Sequence, residues 1–261
     1  MIVLLSPAKT IDVESEPVVD SDRQPLWLER SETLAGAWRT QTATQLAESM
    51  KISESLAALN RRRWSDWEQP IPTAGSSPAL YAFRGDVYRG LAADRWTPKQ
   101  VQYADDHVRI LSGLHGMLRP LDRILPYRLE MGTRVGSDIS GAIGGSKDLY
   151  AYWGDDVADR LTDDVTATKS RSILNLASKE YSRVARLDRA GVGVVSPVFE
   201  EMKNGTPKMI TLYAKIARGT MASWVVRKRV RSAEGLKRFA EDGYRFDETR
   251  SSPERPVFVR G

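Results

Sequence analysis

The apolar run "IVLLS" at residues 2–6 decides the predicted fold, because it places four large apolar side chains in a row shortly before Pro7. A short continuous apolar run is typical of a strand that is buried on both faces. Proline cannot donate a backbone hydrogen bond to a sheet, so the strand is expected to end there. Two further strands are predicted for "HVRILSG" at 107–113 and for the first part of "RSILNLAS" at 171–178.

Helices are predicted between these strands. The segment 41–67 breaks near Lys51–Ser53, where Ser53 can cap a new helix, so it predicts a helix, a tight turn and a second helix. Thr97 and Pro98 mark the start of another helix, with Thr as the cap and Pro in the first turn. The other predicted helices cover 25–39, 149–161, 179–187, 214–232 and 233–241.

The dipeptide Asn204-Gly205 joins two predicted strands, and Asn-Gly is the strongest short signal for a β-hairpin. Two short strands are predicted at 244–247 and 256–259. Strands and helices interleave along the chain without a repeat period or a linker. The sequence therefore predicts a mixed α/β (α+β) fold in which residues 1–261 form a single domain, with one central mixed β-sheet wrapped by helices.

The segment "LRPLDRILPYRLEMGTR" at 118–134 combines six charged residues with two prolines. The prolines predict a rigid loop that runs into a strand near 127–131. Alternation along that strand puts Arg128 and Glu130 on one face and the apolar residues on the other. We expect the segment to line a cleft, where Arg119, Arg128 and Arg134 meet phosphate while Asp122 and Glu130 hold the arginines in place or do chemistry.

The composition excludes several kinds of site. The chain has no cysteine and only two histidines, His107 and His115, so disulfides, cysteine-ligated zinc and iron–sulfur clusters are not expected. Both histidines are interpreted as structural, and neither a metal nor a cofactor is predicted. No P-loop, HExxH or GxSxG spacing appears. The first residues lack the basic region and cleavage site of a signal peptide, and no window resembles a membrane span, so a cytoplasmic protein is expected.

The formal net charge is +5, and the positive charge is unevenly distributed. Residues 203–231 contain eight basic residues and no acidic one. A second cluster, at 61–63, precedes Trp64 and Trp67 and so combines phosphate-pairing groups with aromatic faces. Each cluster alone is also consistent with a solvated helix face. Together they favour a polyanionic partner such as nucleic acid.

Polar residues follow several of the apolar runs, at places where Gly or Pro shapes the backbone. Such residues commonly line one cleft, because the sheet fixes the loops that it carries. Caps, turns and ordinary ion pairs account for each of them individually. Taken together, they predict a site for an anionic or nucleotide-like ligand, and the residues concerned are Ser6, Lys9, Thr10, Asp86, Lys147, Asp148, Asn175, Ser178, Glu180 and Tyr181.

Seven strings in this sequence identify it as resembling the bacterial YaaA peroxide-stress-response proteins along nearly its whole length. They are "SPAKT" at 6–10, "FRGDVY" at 83–88, "LSGLHGMLRPLDRILPYRLEMGTR" at 111–134, "KDLYAYWGD" at 147–155, "NLASKEY" at 175–181, "YAKIARG" at 213–219 and "GYRFD" at 243–247. The resemblance implies a cytoplasmic protein, induced by hydrogen peroxide, that limits free intracellular iron and thereby limits oxidative damage to DNA and protein.

The resemblance also implies a single-domain α/β fold with a positively charged cleft and a helix-hairpin-helix-like element that binds duplex DNA. The helical pair at 41–67 corresponds to that element. Typical turns of this kind use glycine so that backbone N–H groups approach phosphate closely. Here the turn reads "MKISES" and has no glycine, so Lys51, Ser53 and the arginines at 61–63 are expected to make the phosphate contacts.

The sequence is consistent with two main functions. The first is DNA binding without sequence specificity, by a protein expected to be a monomer. Its predicted contacts are Lys51, Ser53, Arg61, Arg62, Arg63, Arg119, Arg128, Arg134, Lys147, Lys215, Arg218, Arg227, Lys228 and Arg229. The second is an enzyme that acts on a nucleotide, a nucleobase or damaged DNA. Its candidate acid, base or nucleophile groups are Lys9, Asp86, Glu130, Glu180 and Tyr181. Direct iron binding is a third and weaker alternative, because the chain lacks cysteine and clustered histidine.

Overall fold

A computed structural model describes all 261 residues. The strands are β1 (Ile2–Leu5), β2 (Thr10–Ile11), β3 (Ser77–Pro78), β4 (Phe83–Arg84), β5 (Val108–Ser112), β6 (Gly116–Leu118), β7 (Arg123–Ile124), β8 (Ser172–Asn175), β9 (Gly193–Val195), β10 (Val198–Lys203), β11 (Thr206–Lys208), β12 (Arg245–Ser252) and β13 (Arg255–Arg260). The helices are α1 (Leu28–Arg39), α2 (Ala43–Met50), α3 (Glu54–Asp66), α4 (Ala79–Ala82), α5 (Asp86–Leu91), α6 (Pro98–His107), α7 (Ser137–Ala142), α8 (Leu149–Trp153), α9 (Asp156–Ala167), α10 (Lys179–Ser182), α11 (Thr211–Lys228) and α12 (Ala233–Leu236).

The predicted strand at 2–6 is the central strand of a five-stranded sheet with the order β6-β5-β1-β8-β9. β1 pairs in parallel with β5, where Val3 lies opposite Val108, and with β8, where Val3 lies opposite Leu174. β6 is antiparallel to β5, so the sheet is mixed. All four residues of β1 are buried, which explains why the run is continuously apolar.

The expectation of one sheet is wrong. The hairpin at Asn204-Gly205 does form, with both residues at positive φ, but it belongs to a separate four-stranded sheet of order β11-β10-β13-β12. In that sheet β13 pairs in parallel with β10 across more than fifty residues of chain. Two small two-stranded sheets complete the set. Apolar patterning identifies strands but does not say which strands pair, because pairing depends on contacts distant in sequence.

The helical pair predicted within 41–67 is present as α2 and α3. Lys51 ends α2 in the left-handed region with φ of 52°, and the Ser53 side chain accepts a hydrogen bond from the Leu56 N–H. Thr97 likewise caps α6, with Pro98 in its first turn. The structure therefore confirms two helices joined by a short turn, whereas the role of the pair as a DNA-binding helix-hairpin-helix element stays a prediction.

Several boundaries differ from the prediction, and the helix expected over 179–187 covers only Lys179–Ser182. The helix expected over 149–161 is divided into α8 and α9, because Gly154 adopts a positive φ of 54° that ends the first helix. The basic helix begins earlier and ends at Lys228, and the last predicted helix, at 233–241, is only the four-residue α12. The predicted strand at 127–131 does not form.

Residues 127–130 join no strand ladder, and Met131 begins a turn. This segment lies against the turn after β5, where a Cβ on Gly113 would come within 2.3 Å of the Leu129 carbonyl oxygen. The expected alternation is nevertheless present, since Tyr127, Leu129 and Met131 are buried while Arg128 and Glu130 are half-buried.

Helix α11 crosses α5 at unusually close range. A Cβ on Gly219 would lie 1.8 Å from the Val87 carbonyl oxygen, and a Cβ on Gly90 would lie 2.1 Å from the Ile216 carbonyl oxygen. Only glycine allows two backbones to approach in this way. The crossing fixes the position of α11 relative to the residues at the start of α5.

Candidate functional site

A cavity of about 480 Å³ opens where β1 and β8 end, and twenty residues line it. Because β1 and β8 are parallel, their carboxyl ends lie at the same edge of the sheet. α5, the segment 127–130 and α11 form the remaining walls. The structure brings together eleven of the predicted site residues here, namely Ser6, Lys9, Thr10, Asp86, Arg128, Glu130, Ser178, Glu180, Tyr181, Lys215 and Arg218.

Ser6 holds the two strand ends together at this edge. The Ser6 hydroxyl accepts a hydrogen bond of 2.9 Å from the Ser178 N–H, and the Ser6 carbonyl accepts one of 3.0 Å from the Tyr88 hydroxyl. These two bonds join β1, the loop after β8 and α5. Ser6 and Ser178 therefore shape the cavity through the backbone.

The acidic residues of the cavity all have partners. Glu130 lies between two cations, 2.8 Å from the Lys9 Nζ and 3.4 Å from an Arg128 nitrogen. Asp86 pairs with Arg89 at 3.4 Å. One Glu180 oxygen accepts a hydrogen bond of 2.9 Å from the Gly132 N–H, which ties α10 to the loop after 131. Lys9, Asp86 and Glu130 make these contacts only with other side chains, whereas Glu180 makes its contact with a backbone N–H.

Three tyrosines, Tyr88, Tyr127 and Tyr181, line the cavity and are buried. Burial raises the pKa of each hydroxyl above its ordinary value. The Tyr127 hydroxyl is also bonded to Ser112 Oγ at 2.6 Å. All three therefore stay neutral at physiological pH, so Tyr181 contributes a wall more readily than a nucleophile or a base. The sequence predicts Tyr127 on the face away from Arg128 and gives no role to Tyr88, although both tyrosines lie within the quoted motifs.

Lys215 and Arg218 are the unpaired cations of the site. They are three residues apart on α11 and thus on the same helix face, and neither makes a hydrogen bond or an ion pair within the chain. Burial lowers the pKa of the Arg218 guanidinium. In addition, the Arg128 Nε is buried without an acceptor. The cavity lining contains five basic and three acidic residues, so an anionic ligand suits it best.

Three predicted site residues, Arg119, Asp122 and Asn175, lie outside the cavity. Asp122 is buried and bonded to Arg23 at 2.6 Å and to the Arg119 N–H at 2.7 Å, so it and Arg119 belong to the packing of their own loop. The Asn175 side chain bonds to Ser196 and to the Ala177 N–H. These placements correct the expectation that Asp122 and Asn175 line the cleft.

Lys147 and Asp148 line a second, shallower depression. Asp148 caps α8 through a hydrogen bond of 2.7 Å from the Ala151 N–H, which is the structural role considered for it from the sequence. Arg183, which also lines this depression, lies over the Tyr150 ring, 4.2 Å from its centroid. The expectation that Lys147 and Asp148 line the main cleft is therefore wrong.

The basic cluster at 61–63 lies on α3. Arg61 and Arg62 are exposed, as is Lys51, and none of these side chains has an acidic partner. Arg63 is half-buried, and burial, followed by the charge of Arg128, lowers the pKa of its guanidinium. Arg134 is also exposed and makes no ion pair.

The expectation that Trp64 and Trp67 offer aromatic faces beside the arginines is wrong. Trp64 and Trp67 are buried, with 0% and 2% of their surface exposed, and so belong to the hydrophobic core. They cannot stack on nucleic-acid bases. Trp64 therefore packs inward although it follows three basic residues, of which Arg61 and Arg62 are exposed and Arg63 is half-buried.

The basic run at 203–231 does not form one face. Arg227 pairs with Glu241 at 3.3 Å, and the Arg229 guanidinium lies over the Tyr103 ring, 5.5 Å from its centroid. Lys228 is exposed. Arg227 lies nine positions after Arg218, which is about 14 Å along a helix. The intervening turns of α11 are almost fully buried.

The two histidines are packed within the structure. His115 is fully buried, and its Nδ1 lies 2.9 Å from Ser31 Oγ. His107 stacks on the Tyr103 ring at a centroid distance of 4.1 Å. No set of three or more His, Asp or Glu side chains is arranged to hold a metal ion. No helix combines the length and apolar character needed to cross a membrane.

Comparison with known proteins places the chain in one family. Residues 1–250 match the family described as peroxide stress protein YaaA. A UPF0246 protein of Cupriavidus metallidurans is 46% identical over 263 residues, which cover 100% of this chain and 98% of the relative. Relatives from Aromatoleum aromaticum and Bordetella pertussis are 45% and 43% identical, each covering 100% of this chain and 99% of the relative. The chain therefore belongs to the peroxide stress protein YaaA family.

Proposed function

We propose that this member of a peroxide stress family binds duplex DNA through its phosphate backbone, without sequence specificity. The observation that supports the proposal is the exposed, unpaired cluster formed by Arg61, Arg62 and Lys51 on the α2–α3 pair. Exposed cations without carboxylate partners are free to neutralise phosphates.

Binding of this kind depends on salt. Each neutralised phosphate releases counterions, so the slope of log K against log salt concentration is about −0.9 per contact. Replacing Arg61 and Arg62 with Ala is expected to reduce that slope by about 2. The measurement is fluorescence anisotropy with a labelled duplex over a salt series.

A matched control is available at the opposite edge of the sheet. Lys169 and Arg171 precede β8, are exposed, and have no acidic partner. The double variant Lys169→Asn with Arg171→Ala removes the same charge, and Asn tolerates the positive φ at 169. It should bind like the native protein. Salt-insensitive binding, or equal losses in both double variants, would contradict the proposal.

The proposal includes protection of DNA, together with the limitation of free iron that the family resemblance implies. Cations condense on the phosphate backbone, and a protein that neutralises phosphates displaces them. Ferrous ions condensed on the phosphates would be displaced together with the other cations. Less iron would then be available at the DNA to react with peroxide. Strand breakage of a plasmid by ferrous iron and peroxide should therefore fall when the native protein is added, and fall less with the Arg61→Ala, Arg62→Ala variant.

A second candidate function is an enzyme that acts on a nucleotide, a nucleobase or damaged DNA. The observation in its favour is that Lys9, Asp86, Glu130 and Glu180 all line one cavity whose volume suits a small molecule. A nucleotide panel is expected to raise the melting temperature of the native protein but not that of Lys9→Ala. Unchanged melting across the panel would contradict this function.

A further inference from the structure

We propose that Arg218, Lys215 and Arg128 form a phosphate-binding subsite within the cavity, and that its ligand is a free nucleoside monophosphate, bound separately from duplex DNA. The inference rests on the second candidate function and gives the chemical class of its ligand. It assigns three of the basic residues to the cavity and leaves the duplex to the exposed surface of α2 and α3.

The first support is the lack of partners for the Arg218 side chain. Long cationic side chains that are largely removed from water are normally paired, since an unpaired charge in a protein interior is costly. Arg218 is half-buried, it makes no hydrogen bond or ion pair, and burial lowers its pKa. An anion in the cavity would supply the missing partner.

The second support is that three cationic side chains line the same cavity. Lys215 lies one turn before Arg218 on the same face of α11, and both line the cavity. Arg128 enters from another wall with its Nε buried and unsatisfied, while its other end is held by Glu130. Two guanidinium groups and one ammonium group match the oxygens of a phosphate monoester, and a guanidinium can contact two of them at once.

The third support is the rigidity of the frame. The contact of Gly219 with Val87 fixes the turn of α11 that follows Arg218. The same contact places that turn against α5, which begins at Asp86 in the cavity. A subsite on rigid elements loses little entropy when a ligand binds.

The remaining walls suit a nucleoside better than a bare ion. Tyr88, Tyr127 and Tyr181 offer ring surface, and the hydroxyls of Tyr88 and Tyr127 are already bonded within the protein. Ring surface of this kind packs against a base or a sugar. The cavity volume of about 480 Å³ admits one nucleotide and is too small for a duplex.

The experiment is calorimetric titration of the native protein with adenosine monophosphate, inorganic phosphate and adenosine. The monophosphate should bind tighter than either fragment, because only it fills both parts of the cavity. Arg218→Gln should weaken binding roughly ten- to hundredfold, as expected for the loss of a charged hydrogen-bonding group. Arg218→Lys keeps the charge and should recover part of the loss. Arg171→Gln, at the opposite edge of the sheet, should bind like the native protein.

Duplex binding by the same variants separates the two proposals. Arg218→Gln should change duplex affinity less than about twofold, whereas the Arg61→Ala, Arg62→Ala variant should lose duplex affinity and keep the monophosphate. Equal monophosphate affinity in native protein and Arg218→Gln would overturn the subsite while leaving the second candidate function standing. Absence of nucleotide binding to the native protein would overturn both, and loss of duplex binding in Arg218→Gln would overturn the separation of the two ligands.

Discussion

The two ends of α11 carry similar charge and have different environments. At its first half, Lys215 and Arg218 line the cavity without a partner. At its last turn and C-cap, Arg227 pairs with Glu241 and Arg229 lies over Tyr103. Basic residues that are close in sequence can thus lie in different local environments. A basic side chain without a partner indicates a binding site better than positive charge alone does.

The largest expected effect comes from disrupting the close crossing of α11 and α5 beside the cavity. Gly219→Val places side-chain atoms where the Val87 carbonyl oxygen already lies, since even a Cβ would be 1.8 Å from it. The two helices must separate, and we expect a loss of more than about 3 kcal/mol in the free energy of unfolding by urea. Gly36→Ala in α1 is the control, because a Cβ there meets nothing within 4 Å. It should be neutral or stabilising by about 1 kcal/mol.

A pH titration tests the packing beneath the cavity. Burial lowers the pKa of His115 from 6.5 to about 3, and its ring packs edge-on against Tyr127 of the cavity wall at 5.3 Å. The unfolded chain takes up a proton below pH 6.5 while the folded chain does not, so the stability from neutral His115 is fully present above that pH and is lost as the pH falls toward 3. Between pH 7 and pH 5 this loss is about 2 kcal/mol.

Urea unfolding at the two pH values measures this change. His115→Asn removes the titrating ring, and its stability should vary with pH by about 2 kcal/mol less than that of the native protein over this interval. His107→Asn provides a comparison at the partly buried histidine, whose pKa is also lowered by burial. An unchanged pH dependence in His115→Asn would show that the ring is accessible to protons in the folded state.

Matched substitutions at the two ends of α11 compare them directly. Arg218→Met removes a half-buried charge that has no partner, so it should raise the melting temperature by roughly 2–4 °C, equivalent to about 1 kcal/mol. Thermal unfolding in the absence of nucleotides is the measurement. A lower melting temperature would mean that the ligand-free protein already stabilises the Arg218 charge.

The smallest effect is expected at the other end. Arg227→Met breaks a partly exposed pair with Glu241, and such pairs contribute about 0.2–1 kcal/mol. The melting temperature should therefore fall slightly, and less so at high salt, where exposed charges are screened. A rise like that expected for Arg218→Met would remove the difference between the two ends.

Several elements could be predicted because their signals lie within a few residues. The continuous apolar run of β1, the Ser53 and Thr97 caps and the Asn204-Gly205 hairpin were all confirmed. Each depends on contacts between near neighbours in the chain. The gathering of polar residues beyond β1 and β8 was predictable for a related reason, since parallel strands end at the same edge.

Other features depend on partners far along the chain. Asp122 and Arg128 come from one segment, yet Arg23 holds the first in the interior while the second lines the cavity. Trp64 follows three arginines and is nevertheless completely buried. Nothing in their own segments shows which neighbour each side chain will meet.

The sequence by itself determined the central strand β1 with its neighbours β5 and β8, the Ser53 and Thr97 caps, the Asn204-Gly205 hairpin, the family and about half of the residues of the cavity. Only the tertiary structure decided that there are two larger sheets, that α11 is buried along most of its length, and that Arg218 is left without a partner. The physical reason is that patterning and capping are local, whereas burial and charge pairing are set by whichever distant residues the fold brings into contact.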